Sequence, residues 1–116
     1  MKYFNIKIDK PDVYGFVISV DENKEAKESA KVMLGINSME LVLKNYENGI
    51  ARYEAKIEGG NINLSISDKG NLEVIRKPKG KRIYLEEIDA KKAEEIIRNA
   101  QNLMGLMDRY TDNRVR

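Results

Sequence analysis

Cysteine, histidine and tryptophan are absent from this chain, and proline occurs twice. Without cysteine there is no disulfide. Without cysteine or histidine there is no thiolate or imidazole metal site, so only an all-oxygen site stays open. The same absences exclude Ser-His, Cys-His and histidine general-base catalysis within the chain. No apolar run approaches the ~18 residues that span a bilayer. The start, MKYFNIKIDK, alternates polar and apolar residues where a signal peptide carries an apolar block. We therefore expect a cytoplasmic protein. No P-loop or GxGxxG is present, and Asp9, Asp12 and Asp21 lack EF-hand spacing. Glu86, Glu87 and Asp89 stand where carboxylates ordinarily complement a helix N-terminus. No catalytic residue, metal ligand or cofactor is assigned, and the expectation is a non-enzymatic protein.

The chain has 116 residues, the size of one domain with a modest core. Hydrophobic residues make up 41% and charged residues 34%, a globular balance on the charged side. A formal net charge of +2 is too small to indicate nucleic acid by itself. The placement of the charges has to carry that argument.

Period-two alternation dominates. Phe4, Ile6 and Ile8 share one face of a strand, and Tyr3, Asn5 and Lys7 the other. The turn at 9–12 leads to residues 13–20, VYGFVISV, where Val13 and Val17 oppose Tyr14, Phe16, Ile18 and Val20. Such a strand is central or covered on both sides. Between 22 and 34 the period changes: Ala26, Ala30, Met33 and Leu34 lie on one helical stripe, with Asp21 as N-cap and Gly35 as C′ residue. Residues 38–47 read either as a strand or as a short helix capped by Ser38, and the Asn48-Gly49 hairpin signal favours the strand. Alternating strands follow at Ala51–Ile57, Ile62–Ile66, Leu72–Val74 and Ile83–Leu85, separated by turn residues. Asp89 caps a last helix with Ile96, Ala100, Leu103, Met107 and Tyr110 at 4-3-4-3 spacing. The expected fold is α+β: an antiparallel meander of about six or seven strands, a short helix at about 22–34, and a long helix at about 89–110 packed on the sheet. The tail 111–116 is expected to fray.

Three features bear on function. RKPKGKR, residues 76–82, holds five cations in seven residues around Pro78 and Gly80. Read as a hairpin tip, Arg76, Lys77, Lys79, Lys81 and Arg82 act jointly on a polyanion within one screening length; read plainly, they keep an exposed edge soluble. The sheet face opposite the core would carry Tyr3, Asn5 and Lys7, then Arg52, Glu54 and Lys56, then Asn61, Asn63 and Ser65, then Arg82 and Tyr84. Stacking rings, cations and small amides are what single-stranded nucleic acids use; the alternative is an ordinary solvated face. The last helix has more apolar surface than one sheet contact needs, with Leu106 off the main stripe. It either closes the core or also pairs with a copy of itself, through Ile96, Ala100, Leu103, Leu106, Met107 and Tyr110.

Residues 62–104, INLSISDKGNLEVIRKPKGKRIYL followed by the helix from Asp89, resemble the strand–turn–strand–basic hairpin–strand–helix unit of the PC4/PUR-type single-stranded nucleic-acid-binding proteins. In that family a curved antiparallel sheet holds the strand and the following helix pairs subunits or repeats. The resemblance implies contacts from Lys69, Arg76, Lys79, Lys81, Arg82 and Tyr84. With Arg52, Lys56 and Lys77 from the residue pattern, these make the expected nucleic-acid-binding set. The expected function is binding of DNA or RNA, single strands before duplexes, by a homodimer. The alternative is a homo-oligomeric structural or protein-interaction module assembled through the last helix.

Overall fold

The computed structural model describes residues 1–9, 14–33, 40–57 and 59–115, with the side chains of 14, 15 and 103–115 outside the description. In chain order the elements are β1 (Lys2–Asp9), β2 (Tyr14–Val20), α1 (Ala26–Ser29), β3 (Ala30–Met33), β4 (Leu41–Glu47), β5 (Ile50–Ile57), β6 (Gly60–Ser67), β7 (Leu72–Arg76), β8 (Arg82–Ile88) and α2 (Ala90–Val115). The strands form two antiparallel sheets of four. One has the order β3-β2-β1-β8 and draws strands from both ends of the chain; we call it the split sheet. The other runs β4-β5-β6-β7 and is the meander sheet.

The α+β class holds, but the single meander of six or seven strands is corrected to two sheets. Alternation tells each strand which face to bury and does not say which sheet it joins. Here the two apolar faces bury each other. Phe4, Ile6, Ile8, Phe16, Ile18 and Val20 from the split sheet form one cluster with Ala51, Tyr53, Ile62, Leu64, Ile66 and Leu72 from the meander sheet. These are the inner faces expected from period two.

The helix expected over 22–34 is a single turn, Ala26–Ser29, and the chain then straightens into β3, which pairs with β2 from Val20↔Ala30 to Val17↔Met33. An alanine-rich stripe has too little apolar surface to hold several helical turns, whereas β3 adds ladder hydrogen bonds and packs Val32 on the core. Asp21 caps no helix; its carboxylate accepts from the Asn23 N–H at 3.0 Å in a local turn. Residues 41–47 are a strand, and Asn48 (φ 53) and Gly49 (φ 75) make the two-residue hairpin the sequence called for, Glu47 facing Ile50. The turn expected at 9–12 falls largely outside the described residues, as do Leu34, Gly35 and Met39.

Val17 is fully buried although it points away from the core, opposite Asn5 on β1. The cover is α2, which lies against β1 and β2 and buries Ala93 and Ala100. The reading of β2 as covered on both sides is correct, and α2 does pack on a sheet, but on the outside of the sandwich. Asp89 caps it as expected, its Oδ1 accepting from the Lys92 N–H at 2.7 Å. The helix runs to Val115, beyond the expected 110.

One end of the sandwich is tied by polar bonds around Asp68. Its Oδ1 accepts from the Ala26 N–H at 2.8 Å, and the Tyr46 hydroxyl donates to the same carboxylate at 2.8 Å. The Asp68 N–H donates to the Gly49 carbonyl at 2.8 Å, which joins this turn to the β4–β5 hairpin. The buried Tyr53 hydroxyl donates to the Ala26 carbonyl at 2.6 Å. Both polar groups of Ala26 are thus satisfied by side chains of the meander sheet. Tyr53→Phe removes the shorter of two bonds to that carbonyl and leaves the one from the Ser29 hydroxyl at 3.2 Å, so we expect a loss of about 0.5–1.5 kcal/mol, read as a lower denaturation midpoint at unchanged slope.

The Asp68 carboxylate, first through the hydrogen bond and then, after partial desolvation, through its charge, pushes the Tyr46 phenol up from 10.0 to about 12. The fold favours the neutral phenol. Its contribution is complete below the ordinary phenol value and is lost as the pH rises through about 12. Phenolate absorbance should therefore show a late-titrating component that Tyr46→Phe reduces by one ring. Overlaying titration curves would show that the Asp68 bond does not hold.

Candidate nucleic-acid interface

The sandwich leaves two outer sheet faces, and α2 takes the middle of one. The outer face of the meander sheet carries exposed or half-exposed residues throughout: Arg52, Glu54 and Lys56 on β5, then Asn61, Asn63 and Ser65 on β6. This part of the expected polar face is assembled as the alternation predicted.

Both edge strands of this sheet are interrupted at nearly the same level. On β4, Leu43 pairs with Tyr53 but Asn45 pairs with Arg52, so Lys44 is an extra residue. On β7, Val74 pairs with Leu64 but Arg76 pairs with Asn63, so Ile75 is extra. A bulge re-aims the side chains that follow it. Without the second one, Arg76 would keep the parity of Leu72 and Val74 and point into the core. With it, Arg76 shares the outer face with Asn63. The first bulge likewise turns Tyr46 inward, to Asp68.

The two extra residues line one groove of about 260 Å³, with Arg52, Glu54, Asn63 and Arg76 and the edge of Tyr53. Lys44 reaches Glu54 at 3.6 Å, a half-exposed pair; Arg52 and Arg76 are the other two cations at the rim. Sequence reasoning missed Lys44 and Ile75. The signal was the three-residue step from Leu43 to Tyr46, a slip of phase, and the apolar pair Val74-Ile75.

The basic segment is not a hairpin. β7 is an edge of the meander sheet and β8 an edge of the split sheet, so residues 77–81 cross from one sheet to the other. The crossing is seated on the β5–β6 turn. A Cβ at Gly60 (φ +150) would stand 3.0 Å from Pro78, and one at Gly59 would stand 3.1 Å from the Lys81 side chain. Lys81 is 9% exposed, so it packs under the loop while Lys77 and Lys79 stand out.

The expected contacts therefore separate. Arg52, Lys56, Arg76, Lys77 and Lys79 belong to the meander-sheet side and its adjoining crossing. Arg82 and Tyr84 lie on β8, on the outer face of the split sheet with Tyr3, Asn5 and Lys7. Asn5 is buried there rather than presented. Lys69 sits in the turn beyond Ser67, at the opposite end of β6 from Gly60, a strand length of about 23 Å away. Its carbonyl accepts from the Lys2 ammonium. The assumption that failed was a single sheet, which put strands of two sheets on one face. Of the self-association stripe, Ala100 is buried and Ile96 half-buried within the chain's own fold. Leu103, Leu106, Met107 and Tyr110 have side chains outside the description.

A second cleft, of about 440 Å³, opens between the split sheet and α2. Met1, Tyr3, Met33 and Ile97 dominate it, with Lys31 at its rim. No three carboxylates converge as a metal site among the described residues, and no helix among them is long and apolar enough to cross a membrane. Comparison with known protein families, characterised proteins and solved structures finds no match.

Gly60→Ala should displace Pro78 and strain the backbone, lowering stability by about 1–2 kcal/mol, while Lys79→Ala on the exposed side of the loop should stay within about 0.5 kcal/mol of the parent. Equal midpoints for the two variants in a denaturant melt would show that the crossing is not held on the β5–β6 turn.

Proposed function

We propose that the chain is a non-enzymatic nucleic-acid-binding protein that holds single-stranded DNA or RNA along the outer face of its meander sheet. The observation that carries this reading is the pair of bulges that bring Lys44, Arg52 and Arg76 around one groove on a face that no helix among the described residues covers. From that groove the cations continue through Lys56 to Lys77 and Lys79. Arg52 and Lys56 are four residues apart on one strand, about 13 Å, so the run follows a chain of phosphates instead of gripping one. Asn61, Asn63 and Ser65 lie between the cations and offer donors and acceptors to base edges. Ile75, 51% exposed, gives the groove an apolar surface for a base. Tyr84 faces the other side of the molecule, so ring stacking has a smaller part in this reading than phosphate contact.

The likeness to PC4/PUR-type proteins supports the same ligand class through a basic antiparallel surface, although its three strands here belong to two sheets. The alternative, a module assembled through α2, draws less support, because Ala93 and Ala100 are already buried against the split sheet.

Fluorescence anisotropy with a labelled single-stranded oligonucleotide tests the proposal. Six cations on phosphates give a log–log salt slope of about −4 for a single strand. Arg52→Glu with Arg76→Glu should abolish binding at moderate salt, whereas Lys69→Glu, at the far end of β6, should have a much smaller effect. No binding at low salt, or equal losses from both sets, would refute the site.

A further inference from the structure

Sheet edges offer unsatisfied backbone groups to any strand that reaches them, and folded proteins guard them. Among the described residues, three of the four edges are short or broken by a bulge. β3 is four residues long. β4 and β7 each carry a bulge that breaks the ladder. The fourth edge, β8, runs for seven residues and contains no proline. Its register with β1 is uninterrupted from Tyr3↔Ile88 to Asp9↔Arg82. Tyr84 is 50% and Leu85 37% exposed along it.

We propose that β8 is a homodimer interface, pairing antiparallel with β8 of a second copy about a two-fold axis at Tyr84. The sequence of the strand, RIYLEEI, favours its own copy as the occupant. In this register Tyr84 faces Tyr84 of the second copy, Ile83 faces Leu85, and Arg82 faces Glu86, and each unlike pair occurs twice by symmetry. A cation at the start of the strand and carboxylates near its end are complementary only to a strand running the opposite way, and cross-strand neighbours of this kind attract. A parallel partner would set Arg82 against Arg82 and Glu86 against Glu86. The tyrosines, which the single-sheet reading assigned to stacking on bases, here stack on each other and lose their exposed surface.

The geometry of the assembly follows. An axis through an antiparallel pair stands perpendicular to the sheet, so the two split sheets become one continuous sheet of eight strands. Both α2 helices lie on the same side of it. Both meander sheets lie on the other side, their outer faces turned away from the helices. The dimer therefore leaves each meander-sheet groove open, and the interface does not depend on the nucleic-acid reading.

The chain has no cysteine, so a single introduced one reports position cleanly. Tyr84→Cys should form a disulfide-linked dimer under mild oxidation, while Arg76→Cys, exposed on the other sheet, should give no disulfide-linked dimer at the same concentration. In sedimentation equilibrium the parent protein should dimerise. Arg82→Glu should weaken the dimer at least about tenfold by setting carboxylates against each other, and Arg82→Glu with Glu86→Arg should restore it, with circular dichroism confirming that all variants fold. A parent that stays monomeric at high concentration overturns the proposal, including the case in which β8 receives an unrelated strand instead. A dimer indifferent to Arg82→Glu, or one that the charge swap does not restore, overturns it as well.

Discussion

Two apolar faces, each presented by a four-stranded sheet, have no cover except each other, and that mutual burial sets the rest of the molecule. Ile6, Ile18 and Val20 meet a layer built on Ile62, Leu64 and Ile66, all nearly or fully inaccessible. Because the core lies between sheets, the long helix is left to the outside. It covers Val17 on the outer side of β2. The other outer face mixes arginines, lysines and small amides with the exposed Val42, Ile50 and Ile75, and it stays open.

The polar ties have a complementary task. Ala26 stands where the chain passes from β2 to β3, and a buried backbone there needs partners for both its N–H and its carbonyl. Asp68, in the β6–β7 turn, supplies one, and Tyr53 on β5, with Ser29 at longer range, supplies the other. Tyr46 reaches the same carboxylate only because the bulge at Lys44 rotates the end of β4. One irregularity thus serves stability on the inside and places a lysine on the outside.

Much of the local structure was legible in the sequence. The inner faces of β1, β2, β5 and β6 and the start of β7, the Asn-Gly hairpin, the Asp89 cap and the double cover of β2 follow from spacing and turn chemistry. The number of sheets was not legible, because alternation is a property of one strand and sheet membership a property of pairs. Arg76 shows the cost: simple parity counts it with Leu72 and Val74, and only the extra residue Ile75 turns it outward. The stretch 76–82 was correctly marked as dense in charge and incorrectly given a hairpin, since Pro78 and Gly80 serve equally well for a loop between layers. Lys81 illustrates the limit of counting charges; of five cations in a row it is the one folded under the loop.

The split sheet also has a temporal side. Every ladder of the meander sheet joins neighbours in sequence, from β4 to β7. The ladder between β1 and β8 joins residues 3–9 to residues 82–88 and has to close a loop of some seventy residues, whose entropy is repaid only after closure. On these grounds the meander sheet is the part that forms first, with β1 and β2 waiting for the last strand of the chain, β8. Until β8 arrives, β1 is itself an open edge. Pulse-labelled amides should gain protection on β5 and β6 before β1, and the hazardous interval for this chain is the one in which its N-terminal hairpin has been made and its closing strand has not.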